Sequence, residues 1–328
     1  MLKLFKTPLA TVPFVIIFVF MISTRLAMYF YAYDTDIWQF PMSPFSLALK
    51  TAFGSLFSQL AFQLIASFVL VFIQINIISV LTAKLKNPMW REFISPWLFV
   101  LCMSAHPAFL LLSPQLISFT FILLSVSTLL KLGEKSEAIK NILSTSIFIG
   151  IAAGFWLPSL FFIAMILYYL FKINKFKLRN LLAIVVGFSI PFIYVFSFAY
   201  LFSVENVFYN NIVFNQFFIE NKNYKNYLSL IAISILGLLS FLSLSRYLNG
   251  QLKETKDFFY LIYIYCFLLV FSFIFNFHNN INIWVFVFFP VSLSLNIFFN
   301  SFKRFFIAEI IHVVLFLIIL VNFIHLLN

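Results

Sequence analysis

Charge is what this chain has least of. Of its 328 residues, 9% are Asp, Glu, Lys or Arg and 63% are hydrophobic, and the mean hydropathy is +1.06. So few charges cannot cover the surface of a water-soluble fold, so the chain takes lipid as its solvent. Cysteine is nearly absent too: Cys102 and Cys266 each fall inside an apolar run, which excludes a disulfide framework and a zinc or iron–sulfur ligand cluster and argues against redox chemistry. There is no Gly-rich phosphate loop, no Gly-x-Ser-x-Gly elbow, no His-Glu-x-x-His and no metal-spaced His/Cys set, so hydrolysis by a serine or zinc mechanism is disfavoured. The abundance of Phe, 50 residues, accompanies Ile, Asn and Lys. This is the drift of an A/T-rich coding sequence, and no aromatic stripe is read as a site.

The net charge of +11 does not indicate nucleic acid, because the basic residues sit in short loops between apolar runs instead of on one soluble surface. Runs long enough to span a bilayer occur at about 8–31, 58–83, 94–112, 115–131, 141–156, 157–171, 181–203, 228–248, 258–277, 282–300 and 305–327. The first run is longer than a signal-peptide core and lacks a small-residue cleavage site, so it is expected to be a retained span.

The stretch 94–171 organises the rest. It reads as two successive hairpins, turned at Leu112-Ser113-Pro114-Gln115 and at Trp156-Leu157-Pro158-Ser159, where each proline removes a helical donor and biases the residue before it away from helix. The alternative for 141–171 is one long tilted helix, and charge arbitrates. With eleven spans and the N-terminus inside, all of the 21 Lys and Arg residues except Arg25, Lys50, Lys222 and Lys225 fall on the inner side. A single crossing would swap Lys172, Lys175, Lys177 and Arg179, with every later cluster, to the other side, and the positive-inside bias would vanish. The hairpin is therefore expected, with its turn below the membrane surface. Gly150, Ala152, Ala153 and Gly154 form a small-residue face for close helix packing.

Two outer segments are expected not to cross. In the first, Phe45, Leu49, Phe53, Leu56 and Phe57 form a helical stripe with Ser46, Lys50, Gly54 and Ser55 opposite, predicting a helix lying flat in the interface. The second, 204–227, mixes Asn, Tyr and Phe without a period and reads as a loop. The whole chain is one all-α integral-membrane domain.

Asp34 and Asp36 stand just beyond the first span among Tyr31, Tyr33 and Trp38, at the level of a lipid headgroup. A carboxylate there is placed to act as general base toward an acceptor hydroxyl, and the Asp-x-Asp pair to hold a divalent cation bridging phosphates; the plainer reading is two acids that solvate an outer loop. Arg25 lies about 9 Å below the outer end of its span, where it either snorkels or pairs with Asp34, Asp36 or a phosphate. Lys50, His106 and His278 complete the candidate substrate contacts, the last within a cluster with Asn279, Asn280 and Asn282. A histidine such as His106, beside Pro107, is more often a packing residue. Glu309 and His312, one turn apart, read as structural or as a contact for a partner.

A first span, an acid-bearing outer loop with an interfacial helix, a second span, then Pro96-Trp97-Leu98, His106-Pro107, Leu112-Ser113-Pro114 and Gly150-Ile151-Ala152-Ala153-Gly154-Phe155-Trp156-Leu157-Pro158 together form an order of elements that resembles the GT-C superfamily of polytopic glycosyltransferases. It is also similar to a narrower group of bacterial integral-membrane proteins of unknown function. The resemblance covers about residues 8–200. It implies a transferase that takes sugars from polyprenyl-phosphate carriers at the outer face of the inner membrane, with Asp34 or Asp36 as catalytic base or ligand of a divalent cation. The large outer domain or long motif-bearing outer loop frequent in that superfamily has no counterpart here. A non-catalytic scaffold or accessory subunit of an envelope-assembly or secretion complex is thus the rival expectation, with other membrane subunits as partners. A solute transporter is third, since neither an internal repeat nor a mid-membrane charge is evident.

Overall fold

The structure, a computed structural model, describes residues 5, 11–30, 44–57, 59–83, 85, 93–133, 138–201, 228–275, 281–302 and 305–327, and among these it is all-helical. In chain order the helices are α1 (Thr11–Phe30), α2 (Pro44–Phe57), α3 (Leu60–Ala83), α4 (Ile94–Met103), α5 (Pro114–Leu129), α6 (Ala138–Phe155), α7 (Ile163–Lys172), α8 (Leu178–Leu201), α9 (Leu228–Leu248), α10 (Lys253–Phe275), α11 (Trp284–Ser301) and α12 (Phe305–Leu327). Short 3₁₀ turns stand at Pro107–Leu110, Leu130–Gly133, Leu157–Phe162 and Ile281–Ile283. Eight of the helical segments are long and apolar enough to cross a membrane, as a multi-pass membrane protein requires, and shorter apolar helices cover Ile94–Met103, Ile139–Phe155 and Leu157–Lys172.

Side-chain pairs fix the directions. α1 and α3 are antiparallel, since Phe14 meets Phe72 while Phe18 meets Phe68. α5 and α6 are antiparallel as well: Ser118 Oγ donates to the Ala152 carbonyl at 2.9 Å, and Thr128 and Thr145 share a bond at 2.8 Å. After Trp156 the chain returns. Ser272 Oγ reaches the Pro158 carbonyl, the Phe162 and Tyr265 rings lie 4.9 Å apart, and Lys172 pairs with Asp257 at 2.8 Å, so the stretch from 157 to 172 runs down antiparallel to α10. Lys175 Nζ then donates to the Leu132 carbonyl at 3.2 Å, so residues 131–133, 138–140 and 172–177 lie at one end of the bundle. The stretch 141–171 is therefore a hairpin and not a single tilted helix.

This geometry separates the molecule into two ends. At the basic end stand Lys131, Lys140, Lys172, Lys175, Lys177, Arg179, Arg246, Lys253 and Lys256. At the opposite end, called the turn end here, stand the breaks after Met103 and Phe155 and the 3₁₀ turn before α11.

The small-residue face packs as its composition implies. A Cβ built on Gly150 would lie 2.7 Å from the Phe188 carbonyl oxygen, and one on Gly187 would lie 2.8 Å from the Leu143 carbonyl oxygen, so α6 and α8 approach backbone to backbone. Gly154 instead leaves room for the Phe45 ring, 2.5 Å from such a Cβ, and this seats α2 against the turn end of α6 and α8.

Two expectations need correction. The first hairpin arm is not continuous over 94–112, because α4 stops at Met103 and the 3₁₀ turn Pro107–Leu110 follows. Pro107 cannot continue the α-helical ladder, and it disfavours helix at His106, whose backbone is extended (φ −148°, ψ 139°). α2 is present, but it does not lie flat with Ser46 turned to solvent: Ser46, Phe45 and Leu47 are buried, whereas Phe53 and Leu56 are exposed. The helix is interrupted at Phe53 (φ −132°, ψ 24°), so its first half packs into the bundle and its second half lies at the surface.

Candidate functional site at the turn end

The break after α4 is the frame of this end, and side chains meet several of the backbone groups around it. The Ala105 carbonyl accepts from Ser229 Oγ at 2.7 Å and from Asn322 Nδ2 at 3.2 Å, and the Asn322 amide also donates to Ser229 at 3.0 Å. His106 Nδ1 accepts from the Ala108 N–H at 3.1 Å and caps the 3₁₀ turn. Ser113 Oγ caps α5 through the Leu116 N–H at 3.2 Å. Left bare in a buried setting, groups of this kind would be costly, and α9 and α12 supply the donors from far along the chain.

Arg25 stands beside this frame. Its side chain is 6% exposed and held on three sides. Nε donates to Ser67 Oγ at 3.4 Å, a terminal nitrogen (Nη1) donates to the Met21 carbonyl at 3.2 Å, and the guanidinium lies 5.4 Å over the Phe68 ring. Ser67 in turn bonds the Leu110 carbonyl, which ties α1 and α3 to the hairpin turn. The other terminal nitrogen, Nη2, is buried without a hydrogen-bond partner. The unpaired Nη2 is enclosed by protein, so the guanidinium is a buried cation with one hydrogen-bonding nitrogen left unmet.

Among the sequence-derived candidates, the structure therefore brings Arg25 and His106 to the same end, one as a buried cation and the other as a backbone cap. Lys50 is exposed on α2. Asp34, Asp36 and His278 lie outside the described residues. Among the described residues no group of three His, Cys, Asp or Glu side chains could hold a metal ion. Glu309 is half-buried and His312 fully buried. His312 is joined to α4, with Trp97 Nε1 donating to its Nε2 at 2.8 Å, which makes it a packing contact between α12 and α4.

A cavity of about 160 Å³ lies between α1, α4 and α12, lined among others by Phe20, Ser23, Thr24, Ser104 and Phe316. Arg25 does not line it. The hydroxyls of Ser23, Thr24 and Ser104 all donate back to carbonyls of their own helices, so the wall offers no side-chain donor and behaves as an apolar surface. Two further buried polar atoms lack partners at the turns, Gln115 Oε1 at the first and Trp156 Nε1 at the second.

Sequence reasoning did not reach Ser67, Ser229 or Asn322. A single serine or asparagine within an apolar run gives no sign of which distant carbonyl it will meet. The one usable signal was Pro107, which announces freed backbone groups that something must satisfy. Compared with family models, with curated proteins and with solved structures, the chain matches none of them.

Proposed function

We propose that the chain is a bacterial inner-membrane protein with eleven crossings, N-terminus cytoplasmic and turn end outward, that transfers a sugar or related group from a polyprenyl-phosphate carrier at the outer face. The orientation is supported by the concentration of described lysines and arginines at the basic end, which the positive-inside rule assigns to the cytoplasm. The observation that carries the functional reading is the buried Arg25 guanidinium, whose Nη2 has no hydrogen-bond partner among the described residues. An arginine within a span needs an anion or a polar path, and a lipid phosphate at headgroup depth supplies one. Asp34 and Asp36 follow Arg25 in the chain. In this reading one of them removes the proton from the acceptor hydroxyl, or the two hold a divalent cation on the phosphates.

Complementation of a deletion strain tests this. Asp34→Asn and Asp36→Asn keep size while removing charge and basicity, and loss of a general base lowers rate on the order of 10²–10⁴-fold. Arg25→Gln should release an anionic polyprenyl lipid that co-purifies with the parent. Full complementation by the double Asn variant at normal abundance would remove the transferase reading.

A second reading, a non-catalytic scaffold of an envelope complex, is favoured by one observation. The cavity between α1, α4 and α12 has its hydroxyls turned to their own backbone, as a packing defect would and a substrate site would not. Under that reading the Asn variants are silent.

A further inference from the structure

The outward surface of α3 carries an amide where only hydrocarbon should meet it. Two amides stand two residues apart on this helix and have opposite fates. Gln74 turns inward and donates to the Leu116 carbonyl at 3.1 Å and to Thr120 Oγ1 at 2.8 Å. Asn76 is exposed. Its Nδ2 donates to the Phe72 carbonyl of its own helix at 2.8 Å, and its second amide hydrogen and Oδ1 have no partner among the described residues.

Asn76 stands seven residues before the end of the helix at Ala83, roughly 10 Å along the axis. Its short side chain cannot reach the interface as a Lys or Arg stem would. Exposed serines in the spans, such as Ser23 and Ser189, spend their only hydrogen on a carbonyl of their own helix. Asn76 keeps a donor and an acceptor pointing out of the monomer, and in hydrocarbon such a pair is costly unless another helix meets it.

Asn76 lies within a seam. Ile65, Val69, Ile73 and Val80 are exposed on the same face of α3, and with Asn76 they recur at steps of four, four, three and four residues, a repeat slightly longer than one helical turn that suits a right-handed helix pair. β-Branched residues hold nearly one rotamer in a helix, so little side-chain freedom is lost when such a face is covered. A single asparagine within an otherwise apolar seam is the device that fixes register and oligomeric state.

We propose that α3 is a homodimer interface in which Asn76 of one copy and the same residue of a second copy exchange two amide hydrogen bonds. Copies inserted with one topology relate by a two-fold axis along the membrane normal, which puts identical residues at equal depth. A second copy therefore brings a matching amide to the required level by construction, whereas an unrelated partner would need one placed there independently. Intramembrane asparagines are known to hold helices together in this way.

The test is single-molecule photobleaching of the labelled full chain in liposomes over a series of protein densities, combined with oxidative cross-linking of Ile73→Cys in a background where Cys102 and Cys266 are replaced by Ala. The parent should dimerise. Asn76→Leu should shift the dimerisation midpoint on the order of tenfold toward monomer with an unchanged melting profile, and Asn76→Gln should retain dimers. Ile73→Cys should give a product of twice the chain mass, and Val186→Cys, on the exposed face of α8, should not. Monomers at every density, dimers indifferent to Asn76→Leu, or an Ile73→Cys adduct formed only with a different protein would each overturn the proposal.

Discussion

α11 and α8 are both apolar enough to span a membrane, yet the most apolar 18-residue window is 78% buried in the span Ile281–Ser301 that contains α11 and only 22% buried in α8. Hydropathy does not separate them. Polar content with partners does. α11 presents Ser294 to Ser240 at 2.6 Å, Asn296 to Ser95 at 2.8 Å, and the Phe286 carbonyl to the Tyr265 hydroxyl at 3.0 Å. α8 offers Ser189, bonded to its own Val185, and a surface of Leu182, Val185, Val186, Ile193 and Tyr194 exposed to lipid. Where water is absent, apolar burial gives no preference between lipid and protein, so the central helix is the one whose polar groups other helices must satisfy. α8 is held instead by a narrow seam in which Gly150 and Gly187 bring two backbones together.

The largest effect tests the frame in which that comparison is made. Reporters fused after Lys140 and after Lys177 should both report the same compartment, the cytoplasm. Opposite locations would put α8 on the wrong side of the hairpin and undo the assignment of central and peripheral helices.

Next in size is the narrow seam. Gly150→Leu must displace the Phe188 carbonyl, which is backbone and cannot rotate away, so it should lower stability by roughly 3 kcal/mol, the upper part of the overpacking range. Gly237→Leu on α9 meets only the Val291 side chain, 3.2 Å from a built Cβ, and should cost about 1 kcal/mol. Steric trapping in bicelles measures both, and equal values would show that α8 is not anchored through its backbone.

Polar bonds should rank below steric clash. Asn296→Leu removes the donor to Ser95 in the buried centre and should cost about 1–2 kcal/mol, the range for leaving a buried polar group without its partner. Ser189→Ala on α8 should change unfolding by no more than about 0.5 kcal/mol. If the two are equal, bonded polar content is not what marks a central helix. The ion pair of Lys172 with Asp257 is partly exposed, its side chains 24% and 30% accessible. Lys172→Met should cost about 0.2–1 kcal/mol, less at high salt.

How far the sequence foretold this arrangement depends on which force sets each feature. The second hairpin was legible because Pro158 and the clusters around Lys140 and Lys175 act locally and without reference to the rest of the chain. The glycine face at Gly150 and Gly154 was legible for the same reason, since a missing Cβ is a property of the residue itself. The partner of each glycine was not, and neither was the burial of Ser46. That depends on the Phe45 ring entering the space beside Gly154, a contact between elements a hundred residues apart. Of the candidate site, Arg25 could be picked out as a charge in the wrong solvent, while its fixing by Ser67 and Phe68 follows from how α1 and α3 rotate against each other. Periodicity leaves that rotation open when both faces are apolar.

The Ala105 carbonyl gives the chain a schedule. Its donors are Ser229 and Asn322, and Asn322 lies 217 residues further on. At ribosomal rates of about 5–20 residues per second, roughly ten to forty seconds pass between their emergence. Until Ser229 arrives, 124 residues after Ala105, the first hairpin sits in the bilayer with an open carbonyl, and until α12 arrives the Trp97 indole N–H lacks its His312 acceptor. The early helices must therefore wait in a sheltered place, against the insertion machinery or with water admitted from the turn end. A chain stalled before α12 therefore keeps an unpaired indole N–H at Trp97, a polar group that the last helix satisfies through His312.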